Sequence, residues 1–477
     1  MIKAASPLIA LALLGGCNMA PKHVRPELPT APAYPADQVD AAPQEGRRAA
    51  DISWQEFFAD PRLEALISAA LTNNRDLAVS IAQIEEARGQ YRIQRADRLP
   101  TLGFQGDATR THSGSAAFPI VGPQQPSSSI TYNRYTVGVG VSSFELDFWG
   151  RVRNLSEAAR SQYLATVEAE RAFRLSLIRD VASTYLSTLE AEERIRLAEA
   201  TVKSRQEGLR IAKLRLDAGV TSALDFRQAE TLLTQAETSL ASLRLAKAQG
   251  DNFLNVLTGG PVTTPLPNSL PLADQADNVQ LAAGLPSDLL NARPDILAAE
   301  ERLRAARANI GAARAAFFPT ISLTGNFGFA STDLDNLISS GGQNWNFGPV
   351  LTLPIFDFGR NAGNLSVAKA RENIAVATYE RTIQGAFQEV ANALAGRRFL
   401  SEQVAAQERA TVAQRQIADL ARTRYREGVA NYLEVLDAER NLFDAEQALL
   451  QIRRTQADNL VSLYVALGGG LAVSSAN

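Results

Sequence analysis

The chain has 477 residues, is 45% hydrophobic and carries a formal net charge of -3, so no strongly basic field marks a nucleic-acid partner. It holds two histidines, His23 and His112, and a single cysteine, Cys17. This composition excludes an intrachain disulfide and argues against a His/Cys metal centre or a metal cofactor.

The first element is a secretory signal over residues 1–16: Lys3 is a minimal positive region, and Leu8–Leu14 form a short apolar stretch. It falls short of the ~20 apolar residues that a membrane-spanning helix needs. Leu14-Gly15-Gly16-Cys17 resembles a bacterial lipobox, in which the cysteine is acylated and becomes the first mature residue. Two or more acyl chains would anchor the chain firmly in lipid. An ordinary signal peptide with an incidental cysteine is the alternative. An aspartate after the cysteine would favour the inner membrane; Asn18 stands there and favours the outer one. Residues 17–50 form the anchor and a linker in which six prolines and little apolar periodicity predict extended chain.

Beyond the linker the chain is written twice, as residues 51–260 and 294–470 around a second Pro-rich segment, 261–293. Leu99-Pro100-Thr101 matches Phe318-Pro319-Thr320 at an offset of 219, and Gly150-Arg151, Gly219-Val220 and Gly259-Gly260 match their counterparts at 209. The Ser-, Pro- and Gly-rich run 113–129 accounts for the difference as a longer loop in copy one. Residues 471–477 are a short tail.

Each copy has three parts in the same order. An amphipathic helix comes first, over Leu63–Asp97 and then Asp295–Ala316, with Pro294 suited to a helix start. Two extended segments come next. In copy two Ile321, Leu323, Phe327 and Phe329, and then Phe347, Leu351, Leu353 and Ile355, alternate with small or polar residues. Leu102, Phe104, Val137, Val139 and Val141 do the same in copy one, and the phase shift after Val141 predicts a bulge. One apolar and one polar face over ~10 residues is the pattern of a membrane β-barrel strand. Last comes a proline-free helical hairpin, from Gly150 to about Leu216 and from Ala223 to Leu257 in copy one. Leu175, Ile178, Ala182, Tyr185 and Leu189 show coiled-coil spacing, as do Ala229, Leu233, Ala236, Leu240 and Leu243.

Four strands cannot close a barrel, and open strand edges in lipid leave backbone groups unpaired at several kcal/mol each. Several chains must therefore share one barrel; three would supply twelve strands. The fold class expected is mainly α with membrane β, internally duplicated, the helical hairpins forming a periplasmic α-barrel collinear with the β-barrel.

The stretches Trp54–Phe58, Asn73–Leu77, Tyr91–Asp97, Glu145–Asp147, Gly284–Leu290, Arg293–Ile296 and Asn309–Pro319 resemble the outer-membrane factors of tripartite efflux pumps, the TolC-type channels, in their lipoprotein branch. The resemblance covers essentially the whole mature chain. It implies a homotrimer, a 12-stranded β-barrel over a 12-helix tunnel, and residues 261–293 with the tail in an equatorial belt. It also implies a periplasmic adaptor, an inner-membrane resistance–nodulation–division transporter and outer-membrane lipid as partners; with no Gly-x-Ser-x-Gly elbow, Walker A loop or paired His ligands, neither enzyme activity nor a cofactor is expected. The hairpin tips Gly219-Val220-Thr221 and Gly428-Val429-Ala430 would receive the adaptor. Leu433 and Asp437, one helical turn apart, match positions that face the trimer axis, where they would make an apolar plug and a charged ring. Arg440 would hold Asp437, and Arg424 and Tyr425 match a network that ties the inner hairpin shut. Asp437 and Arg440 correspond to Gln228 and Thr231 in copy one, so the first hairpin would be the static one. Duct service for metal-ion efflux or type I protein secretion is an alternative, as is a structural periplasmic coiled-coil lipoprotein.

Overall fold

A computed structural model describes residues 18–34, 46–114, 129–262, 265–275, 281–282 and 286–472. Cys17, the signal segment, most of the copy-one loop and the end of the tail lie outside the described residues. The helices, numbered in chain order, are α1 Trp54–Phe57, α2 Pro61–Asn73, α3 Arg75–Ala96, α4 Arg151–Asp217, α5 Ala223–Leu257, α6 Leu289–Ala292, α7 Pro294–Ala315, α8 Arg360–Arg426 and α9 Tyr432–Ala466. The strands are β1 Leu102–Ser113, β2 Ile130–Leu146, β3 Thr320–Ser331 and β4 Gln343–Thr352. Among the described residues no helix is long and apolar enough to cross a membrane.

The duplication is reproduced element by element. α3 and α7 have 22 residues each, α4 and α8 have 67, and α5 and α9 have 35. The hairpin registers refine the offset. Leu102 faces Val141 in copy one and Ile321 faces Leu351 in copy two, so the offset is already 210 along the second strand. Trp149 is the remaining extra residue of copy one.

The first compact unit comprises residues 1–26, 84–166 and 299–378. Its centre is one antiparallel sheet in the order β1-β2-β3-β4, with β1 and β4 as free edges. Successive strand residues point to opposite faces. The registers therefore gather Leu102, Phe104, Val137, Val139, Val141, Phe327, Phe329, Trp345, Phe347 and Leu351 on one face. Gln105, Asp107, Thr109, Thr136, Ser322, Thr324, Asn326 and Asn346 share the other. The expected bulge lies between Val141 and Phe144. β4 ends at Thr352, so Leu353 and Ile355 fall outside the strand expected for them.

Beside the sheet, the linker segment is extended but not free. Ala20 lies against Gly311 of α7, Arg314 donates to the Met19 carbonyl at 3.0 Å, and Arg307 donates to the Val24 carbonyl at 2.8 Å. Its anchor is Glu300, 3% exposed, which takes ion pairs from Arg25 (3.0 Å), His23 (3.0 Å) and Arg304 (2.7 Å). Burial pushes this carboxyl up, but bonds from Arg25 and His23 and the charges of Arg304 and Arg25 outweigh it and hold the group below its usual range. A buried carboxylate persists where several cations converge on it.

The second unit comprises residues 27–83, 167–298 and 379–477. The expected single helix over Leu63–Asp97 breaks at Asn74. This residue takes an extended ψ, accepts from Leu77 N–H at 2.8 Å and donates to the Leu257 carbonyl at 2.9 Å, so it ends α2 and caps α3. Asp60, 1% exposed, caps α2 and also accepts from Tyr185 Oη (2.6 Å), Leu270 N–H (3.1 Å) and Gln275 Nε2 (2.6 Å). It thereby ties the inter-repeat segment to α4. Leu175, Ile178, Ala182, Tyr185 and Leu189 are all buried, as their spacing requires; on α5 Leu232 is buried and Leu233 only half so.

Candidate functional site

The tips of the two helical hairpins have one backbone design. α4 ends with Gly219 at φ +71, with Val220 N–H bonded to the Arg215 carbonyl and Gly219 N–H to Leu216. α8 ends with Gly428 at φ +74, with Val429 N–H bonded to Arg424 and Gly428 N–H to Tyr425. This pairing satisfies the last carbonyls of a helix and needs a left-handed residue, which glycine supplies without strain. Val220 and Val429, at the turns, are exposed. The next helix starts on a side-chain cap in both: Ser222 accepts from Asp225 N–H, and Asn431 accepts from Glu434 N–H.

The side chains divide the tips. In hairpin two, Arg440 pairs with Asp437 at 3.1 Å, both half exposed. Leu433, four residues before Asp437, is an exposed leucine. Arg424 reaches Glu434 at 3.8 Å, and Arg422 bridges Asp419 and Glu439 at 3.0 Å each. Hairpin one carries Gln228 and Thr231 at the Asp437 and Arg440 positions, and its acid is tied locally. The Thr221 hydroxyl donates to Asp225 at 2.6 Å and holds that carboxyl below its ordinary range.

Tyr425 joins the hairpins. Arg215 of α4 donates to its hydroxyl and lays its guanidinium over the ring, 5.2 Å from the centroid. Tyr432 packs beside it with centroids 5.1 Å apart. The family resemblance assigns Tyr425 and Arg424 to one network; the structure gives them different partners, and Arg424 stays within its own hairpin. Sequence reasoning missed Arg215, Glu434 and Tyr432. Arg215 was within reach, because it is the duplicate of Arg424.

Farther from the tip, Arg205 of α4 is buried over the Phe443 ring at 5.3 Å and donates to the Leu232 carbonyl. Burial holds its pKa below the usual arginine value.

A sheet with one apolar face and two long helical hairpins, each part duplicated, defines an outer-membrane channel protein with a helical periplasmic extension. The chain belongs to the outer membrane efflux protein family, which matches residues 66–260 and 285–469. It is similar to the solvent efflux pump outer membrane protein SrpC of Pseudomonas putida, 43% identical over 98% of each chain. The cation efflux system protein CusC of Escherichia coli K12 is 40% identical over 97% of this chain and 98% of its own. Among solved structures, the open-state MtrE outer membrane channel of Neisseria gonorrhoeae superposes with a TM-score of 0.86 at 40% identity, covering 95% of this chain and 99% of that one. The chain is thus an efflux protein of the outer membrane.

Proposed function

We propose that three copies of the chain form the exit duct of a tripartite multidrug efflux pump, passively conducting substrates delivered by a periplasmic adaptor and an inner-membrane resistance–nodulation–division transporter. The observation that carries this reading is the four-stranded sheet with one apolar face and two unpaired edges. Such a sheet is stable in lipid only when its edges are closed by further strands, and bacterial single-chain barrels need at least eight. Twelve strands leave an interior wider than side chains fill, and the polar sheet face supplies its wet lining.

The hairpin tips are the periplasmic gate. Leu433 and Asp437 of three chains form the plug and the ring, Arg440 and Arg424 hold the acids, and Tyr425 ties hairpin two to Arg215 of hairpin one. Gly219, Val220, Thr221, Gly428, Val429 and Ala430 meet the adaptor. Acylated Cys17 anchors the chain, and the Glu300 cluster fixes the segment next to it.

Native mass spectrometry of the membrane-extracted protein, beside solvent and dye tolerance of a strain lacking it, tests the reading. A mass of three chains and lost tolerance are expected; a monomer, or unchanged tolerance, contradicts it. The similarity to a cation efflux protein favours metal-ion export as the second reading, and it predicts lost tolerance of metal cations instead.

A further inference from the structure

The two β-hairpins are duplicates, yet they carry opposite charge. From Thr109 to Phe144 copy one has no Asp or Glu and carries Arg110, His112 and Arg134. From Thr320 to Phe356 copy two has Asp333 and Asp335 and no Lys, Arg or His. At the offset of 219, Phe329 and Ser331 are the counterparts of Arg110 and His112.

The register fixes the face that each cation takes. β1 pairs with β2 without a break from Leu102 opposite Val141 to Ser113 opposite Ile130. Alternation from Leu102 and Phe104 therefore puts Arg110 and His112 on the apolar face, where both are exposed. Arg134, opposite Thr109, lies on the polar face. Asn133 stands directly opposite Arg110 and Thr131 opposite His112, with Tyr135 diagonal to Arg110. His112 Nδ1 lies 2.7 Å from Thr131 Oγ1. When this nitrogen accepts from the hydroxyl, Nε2 carries the hydrogen and is left to donate elsewhere. Among the described residues Arg110 pairs with no carboxylate.

The chain enters β1 from α3 and leaves β2 for α4, so the helices adjoin the Leu102 end of the hairpin. With the helices in the periplasm, the Ser113 end faces the exterior. Leu102 to Arg110 spans about 26 Å along a strand and about 20 Å across a bilayer at the usual tilt. That brings Arg110 close to the outer boundary of an apolar band about 25 Å tall. A cation on the lipid face is costly in mid-bilayer and tolerated at the headgroup level.

We propose that Arg110 and His112, with Asn133 and Tyr135, hold the phosphate of an outer-leaflet lipid against the external rim of the first β-hairpin. This rests on the barrel reading above, since the apolar face must meet lipid. A guanidinium takes two phosphate oxygens at once in a fixed fork. Nε2 of His112 and the Asn133 amide supply further donors, and the Tyr135 ring sits among the aromatic residues that flank such bands. Leu102, Phe104 and Val139, all exposed, continue the same face toward the periplasm and meet the acyl chains, which a free phosphate ion lacks. The acid-free segment lets the anion approach without repulsion, whereas Asp333 and Asp335 repel it from the second β-hairpin. One such lipid is expected per chain.

Native mass spectrometry of the full-length trimer, titrated in neutral detergent with diphosphorylated lipid A, tests the site. Lipid A stripped of its phosphates and inorganic phosphate are the comparison probes. Binding is expected to weaken about tenfold in Arg110→Ala and about threefold in His112→Ala. Arg134→Ala, on the polar face, should bind like the native protein. Phosphate-free lipid A should bind about tenfold more weakly, and inorganic phosphate should not compete. A trimeric variant carrying both Arg110→Ala and His112→Ala that binds lipid A like the native protein overturns the proposal, as does an equal loss in Arg134→Ala. Full competition by inorganic phosphate makes the site one for a free anion and overturns the lipid assignment. A native protein recovered only as a monomer overturns the barrel reading instead.

Discussion

The two hairpin tips have one backbone and two chemistries. Gly219 and Gly428 share a φ within a few degrees, the same two turn hydrogen bonds and the same capped restart. Yet Asp437 and Arg440 form an ion pair where hairpin one has Gln228 and Thr231. The acid of hairpin one, Asp225, is bound to its own turn, while Arg215 leaves that turn for Tyr425 of hairpin two. Duplication supplied the turn, and divergence made one tip depend on the other. The proposed gate needs such asymmetry, because a moving part must be held by contacts weak enough to break.

Removing the acid should have the largest effect. Exposed pairs contribute about 0.2–1 kcal/mol each; summed over three copies, Asp437→Ala should raise the open fraction by roughly three- to a hundredfold. Uptake of a bulky hydrophilic antibiotic by cells producing the variant measures this, and unchanged uptake would remove Asp437 from the gate. Tyr425→Phe deletes the hydroxyl that Arg215 donates to but keeps the ring under the guanidinium. A rise of roughly twofold to fivefold in the same assay is expected.

Backbone equality is tested by Gly219→Ala and Gly428→Ala. Each forces a Cβ into a left-handed residue at about 1 kcal/mol, so the two should lower the melting midpoint by a similar amount, about 2 °C. A large difference would mean that one turn is strained by its contacts. The smallest effect belongs to the transplant: Gln228→Asp with Thr231→Arg gives hairpin one the polar pair of hairpin two. Conductance should not change, and a new closed state would place hairpin one at the axis too.

Much of this fold is legible in the sequence because each element is long and repeated. A helix without proline over 67 residues and a two-residue alternation with a matching copy leave little choice, and offset 219 places α3 and α7 on each other residue for residue. The features that escaped reading depend on long-range partners. The break at Asn74 needs the Leu257 carbonyl, and the docking of residues 18–25 needs Glu300, some 275 positions away. β4 ends at Thr352 because its neighbour β3 begins opposite it, at Thr320. At the proposed gate, the turn glycines and the Asp437–Arg440 spacing were visible and Arg215 was legible as the duplicate of Arg424, but its partner Tyr425 lies on the other hairpin, 210 positions away.

A duct closed at its hairpin tips is tested most directly by single-channel recording in planar lipid bilayers. The purified protein and its Asp437→Ala variant would be recorded side by side. A small, mostly closed conductance is expected for the native protein and frequent larger openings for the variant. A native protein that forms no channel, or a variant whose trace matches the native one, would contradict the gated duct.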